Sequence, residues 1–177
     1  TMAAGAGEAL RDPVIAQFAA QAELARGRRP EACARGRGAA ISGEPPIFLV
    51  RLRAYCSAAT GDRAAADLAL AMGRGAAADD AWYRAALAAV AGAPGARASA
   101  ARYDNSLATQ ISIAAHLRPA ASALNNASTL ALLALARSDD APQPQRTQAA
   151  ALAFRRGVLP LGEARTILLA TPDTVTA

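Results

Sequence analysis

The sequence predicts an all-α fold built from antiparallel helical hairpins, on three observations. Hydrophobic residues make up 53% of the 177 while aromatics make up 4%, so the apolar content is mostly Ala and Leu. Alanine gives up no side-chain entropy in a helix and lets helices approach closely, whereas a sheet would want Val, Ile, Thr and aromatics. Phe48, Leu52, Tyr55, Cys56 and Ala59 recur at helical spacing and so share one helix face. Finally, no stretch shows the apolar–polar alternation of a half-buried strand.

Taken in order, residues 1–12 are small and read as a flexible start. Asp12-Pro13 is an N-cap followed by Pro at the first helical position, opening a helix to about Arg26 with Val14, Phe18, Ala22 and Ala25 inward. Gly27 ends it, and Pro30-Glu31 starts a shorter helix holding Cys33. Ser42 to Pro46 is a break. The hairpin at 47–73 follows, turning at Thr60-Gly61-Asp62, with Asp62 capping the second arm. In that arm Ala65, Leu68, Ala69 and Met72 are expected inward, with Leu68 fully buried and Arg63 outward.

Gly73-Arg74-Gly75 closes the hairpin, and Asp79 or Asp80 caps a helix striped by Tyr83, Ala86, Leu87 and Val90, with Trp82 as a packing anchor. Residues 92–102 read as a flexible break. A helix is expected from Asp104 to Leu117, another from Pro119 to Leu124, and a short one capped by Ser128. The last of these is apolar nearly all round and is expected to be the most buried element. Arg146–Arg156 and a final helix opened by Pro160 complete the set, with 171–177 a frayed tail. This makes eight or nine helices in a domain spanning 13–170.

The central hairpin resembles one tetratricopeptide unit. The Gly61-Asp62 turn, Ala66 and Leu70 stand where that family places its turn Gly, its small second-helix residue and its large one. The aromatic–Leu–Gly opening of the family is absent from the first arm, Gly73 replaces a later Ala, and the rest of the chain shows no clean period of about 34 residues. The resemblance implies helix pairs stacked as a short α-solenoid, and by analogy a scaffold that binds a protein or peptide partner.

Composition and chemistry narrow the function classes. The net charge is +5, and all 19 basic residues are Arg. They spread along the chain, which fits a GC-rich coding bias as well as an anion-binding face. The densest group is Arg26, Arg28, Arg29, Arg35 and Arg37, a candidate anion or partner site. No aromatic lies between residues 19 and 47 to stack bases, which disfavours nucleic acid. No apolar run is long enough to span a membrane. Thr1-Met2 ahead of an Ala/Gly-rich start reads as a cloning remnant or a cut inside a longer protein, so the missing signal peptide says little about the compartment.

Cys33 and Cys56 lie at similar distances either side of Pro45-Pro46, which puts both thiols at one height in an antiparallel hairpin. A disulfide there implies an oxidising compartment, periplasmic or otherwise exported. Two thiols and a single His are too few ligands for zinc, and no cofactor motif is present. His116, the only His, lies at a helix end with no Ser or carboxylate at triad spacing, and Asp79-Asp80 and Asp139-Asp140 read as caps or solvated loops. No catalytic residue is assigned. The expectation is a non-enzymatic helical scaffold of the bacterial cell envelope. Its rivals are the helical, non-catalytic arm of a peptidoglycan-acting enzyme and a basic nucleic-acid-binding domain.

Overall fold

The computed structural model describes residues 11–40, 43–73 and 80–170. These form nine α-helices and no strand. They are α1 (Pro13–Ala25), α2 (Arg29–Gly38), α3 (Ile47–Ala58), α4 (Arg63–Ala71), α5 (Ala81–Val90), α6 (Ser106–Ala114), α7 (Thr129–Ala136), α8 (Gln143–Arg155) and α9 (Leu161–Leu169). Residues 1–10 of the expected flexible start, the frayed tail, the Arg74-Gly75 turn and the Asp79 cap fall outside the described residues.

Helix starts follow local chemistry. Asp12 accepts from the amides of Val14 and Ile15, Asp62 from Ala65, Asp80 from Trp82, Asn105 from Ala108 and Ser128 from Ala131. Each bond satisfies an amide that the first turn leaves without a helical partner. Prolines 13, 30 and 144 all sit in first turns, where their missing N–H costs nothing. This is why α8 begins at Gln143, ahead of the expected Arg146: Pro144 belongs to the helix rather than to the loop before it.

Two apolar clusters form the core. The first draws on α1 to α6 and centres on Leu24, Leu49, Leu52, Tyr55, Leu107 and Ile111. The second joins Tyr103, Ile113, Leu124 and Leu159 to α7, α8 and α9. Helix α6 is the wall between them, and Leu117 just beyond it packs against both. All eight residues Ser106–Ile113 are therefore buried. That makes α6, rather than the near-uniformly apolar α7, the most enclosed element. Its hydroxyls are matched: Ser106 Oγ donates to the Gln21 carbonyl at 3.1 Å and Thr109 Oγ1 to the Asn105 carbonyl at 2.9 Å. Helix α1 packs on α6 and α7 as well as on α2, so the start of the described chain lies against its second half.

Three elements differ from what the sequence implies. Helix α1 turns Ala16, Ala20 and Leu24 inward, leaving Phe18 62% and Val14 57% exposed. The small residues face the crowded side, where α1 meets several helices at once. Helix α4 buries Ala66 and packs Ala69 and Leu70, while Leu68 is 65% and Met72 56% exposed. Helix α4 packs mainly on α3, so a single neighbour covers one narrow stripe, and Ala66 and Leu70 fill it. Residues 119–124 form no helix: 119–120 are irregular and 121–126 are turns.

Candidate functional site

The α2–α3 hairpin carries the sequence-predicted residues. Cys33 and Cys56 form a disulfide, with Cα atoms 5.9 Å apart. Later residues of α2 meet earlier residues of α3, as antiparallel packing requires. A β-carbon on Gly36 would meet Leu52, and Arg53 donates to the carbonyls of Gly36 at 2.9 Å and Ala39 at 3.3 Å. Arg53 thus satisfies carbonyls that the end of α2 leaves open.

The five candidate arginines do not make one basic face. Arg28 binds Glu23 at 3.0 Å and Arg26 approaches it at 3.7 Å. Arg28 and Arg35 border a surface cavity of about 490 Å³ together with Arg11, Glu23 and Glu31, so its charge is mixed. Arg29 turns instead to the hydroxyl of Tyr55, whose pKa burial raises against the smaller lowering by Arg29. Arg26 and Arg37 are exposed and lie off the cavity.

A second polar group surrounds Asp80, the cap of α5. Arg102 donates to its carboxylate at 2.8 Å and Arg51 lies 3.9 Å away. Arg51 also stacks 3.9 Å from the Tyr83 ring centre, Arg102 lies 4.9 Å from that of Trp82, and the two rings meet edge to face at 4.9 Å. Burial pushes the Asp80 carboxyl up. The Arg102 and Trp82 hydrogen bonds and both guanidinium charges outweigh it and hold the group below the usual value. Trp82 Nε1 donates to the Ala100 carbonyl at 2.6 Å, so this cluster fastens the non-helical stretch before α6 to α5. One carboxylate faces two guanidiniums, so a net positive charge remains, and the bonds that tie Asp80, Arg102 and Trp82 together make the cluster a structural clasp.

The third place is a cavity of about 160 Å³ where α6 ends. It is lined by Tyr103, Ser112, Ile113, His116, Leu117, Arg118, Asp140, Pro142 and Gln145. The end of α6 is a Schellman turn: the His116 amide bonds Ile113 O at 3.0 Å and the Leu117 amide bonds Ser112 O at 2.9 Å. His116 holds the left-handed position, φ 52°, which Gly fills at 27, 61, 92 and 157. Ser112 is engaged with the Arg102 backbone, accepting at 2.9 Å and donating at 3.2 Å. Tyr103 donates to Gln145 Oε1 at 3.3 Å, and burial raises its hydroxyl pKa. No group of His, Cys, Asp and Glu among the described residues could hold a metal ion.

No family model matches this chain, and comparison with curated proteins and with solved structures found no similar protein.

The sequence places His116 at a helix end but does not join it to Tyr103, Arg118, Asp140 and Gln145. Those residues come from three separate segments, and only the packing of α6 against the α7–α8 connection assembles them. One local signal was readable: Leu117 is the apolar residue a Schellman turn favours, and a His stands before it where Gly is usual.

Proposed function

We propose that the protein is a non-catalytic helical-hairpin scaffold that binds a protein or peptide partner in an oxidising compartment of the bacterial cell envelope. The disulfide between Cys33 and Cys56 carries this reading, because such bonds persist in exported proteins and are rare in the cytosol. The tetratricopeptide-like hairpin α3–α4 supports the scaffold part. Its second arm leaves Leu68 and Met72 exposed, and Met72, one helical turn beyond Leu68, lines a groove of about 810 Å³ together with Ala39, Gly43, Glu44, Pro45, Arg53 and Ala71. Grooves of this kind take an extended or helical segment, and the net charge of +5 favours an acidic one. No helix is long and apolar enough to cross a membrane among the described residues. The stack differs from an open solenoid in that α1 also packs on α6 and α7.

The test places a photoreactive residue at Met72, and at Arg165 as a control, in the protein exported by living cells. The reading expects one discrete adduct from position 72, weakened by Leu68→Glu, and none from position 165. Identical labelling from both positions would contradict it, as would turnover of peptidoglycan or ester substrates by the purified chain.

A further inference from the structure

We propose that the cavity at the end of α6 is a binding site for a small zwitterion of the α-amino-acid type, with Arg118 and His116 meeting its carboxylate and Asp140 its ammonium. Size sets the first limit. A cavity of about 160 Å³ is close to the engineered cavity of about 150 Å³ that holds benzene, so the ligand is a small molecule and not a peptide segment.

Lining chemistry sets the second. Arg118 offers a planar fork of donors suited to a carboxylate. Gln145, which accepts from Tyr103 through its Oε1, adds a neutral polar group to the lining. Asp140 is the one acidic side chain present, and it would oppose a simple anion there. A ligand carrying both charges satisfies both sides. Ile113, Leu117 and Pro142 supply apolar wall for a short side chain. Among the described residues, no hydrogen bond or ion pair engages the side chains of His116, Arg118 or Asp140; the Asp140 charge is felt at Tyr55, and its carboxylate oxygens remain able to take a ligand, as do the other two side chains.

Backbone geometry is the third and independent observation. Among the described residues, four Schellman turns use Gly at the left-handed position, and the one at the cavity uses His116 with φ 52°. A side chain is kept there against the local steric preference, and strained positions of this sort concentrate at ligand sites.

The experiment follows backbone amide resonances of the whole chain during titration with L-alanine and L-valine, using acetate and ethylammonium as single-charge controls. The proposal expects saturable shifts confined to residues 112–118 and 140–145, in the millimolar range, from the amino acids and not from the controls. Arg118→Gln and Asp140→Asn should each weaken binding about tenfold or more, the effect of removing one charge-assisted bond. Both residues are exposed, so both variants should keep the native spectrum. His116→Gly retains the turn while deleting the imidazole and should also weaken binding. Absence of saturable shifts, equal shifts with acetate alone, or unchanged affinity in Arg118→Gln and Asp140→Asn would each overturn the proposal.

Discussion

Gly36 faces Leu52 so closely that a β-carbon at position 36 would lie 2.9 Å from Leu52 Cδ2 and 3.3 Å from its Cγ. Leu52 has no exposed surface and so little room to yield. The glycine is what lets α2 and α3 approach closely here, one helical turn from the disulfide. Gly36→Ala should therefore destabilise by about 1–2 kcal/mol, the overpacking cost exceeding what the better helix former gives back. Gly38, in the same helix, has nothing within 4 Å of its would-be β-carbon. Gly38→Ala should be neutral or stabilise by up to about 1 kcal/mol. Urea melts of the two variants compare one chemical change in two environments, and equal effects would refute the close approach.

Reduction of the Cys33–Cys56 bond should lower stability by about 3 kcal/mol, since its sequence separation is 23 and the closed loop is correspondingly long. Denaturation with and without dithiothreitol measures this, with Cys33→Ser/Cys56→Ser as the chemical control.

Leu68 and Leu52 separate surface from core. Leu68 is 65% exposed, so Leu68→Ala should cost less than about 0.5 kcal/mol, whereas Leu52→Ala should cost about 2–5 kcal/mol through the cavity it leaves. Similar losses in urea would mean that α4 faces the other way.

His116 at φ 52° should respond to backbone chemistry. His116→Gly should stabilise by about 0.5–1 kcal/mol, the relieved strain exceeding the added unfolded-chain entropy. His116→Val should destabilise by more than about 1 kcal/mol, because a β-branched residue is poorly tolerated there. Thermal melts of both decide it.

Arg137 joins three helices. Its Nε and Nη2 donate to the two carboxylate oxygens of Glu163 at 2.6 and 2.9 Å, and its Nη1 to the Ala25 carbonyl at 3.3 Å. The Arg137 hydrogen bond lowers the Glu163 pKa from 4.5, outweighing the opposite pull of burial. A carboxyl depressed in the folded state contributes stability that is present above its unfolded value and is lost as pH falls through the folded one. The wild-type chain should therefore lose stability below about pH 4.5 more steeply than Glu163→Gln. Denaturant melts across pH 3 to 6 test this; parallel curves for the two proteins would contradict it.

The sequence made the helices legible wherever local chemistry decides: Asp12, Asp62, Asp80 and Ser128 cap where their spacing indicates, and Cys33 meets Cys56 across Pro45-Pro46. It misjudged which side of α1 and α4 turns inward, because Ala is compatible with either side of a helix and only the neighbours decide. Phe18 and Leu68 looked like core for their size, yet Ala16, Ala20 and Ala66 took the crowded positions. The burial of α6 was hidden for a related reason: Ser106, Thr109 and Ser112 look solvent-facing until their hydroxyls find backbone partners. The cavity at His116 was illegible because its walls come from segments whose meeting depends on tertiary packing.

The disulfide between Cys33 and Cys56 is the mark of an oxidising compartment. The direct measurement is differential alkylation in acid-quenched cells that produce the protein naturally, followed by mass spectrometry of the peptides holding Cys33 and Cys56. Neither thiol should be labelled before reduction, and both should be labelled after it. Full labelling of both cysteines before reduction would place the chain in a reducing compartment and contradict the exported scaffold.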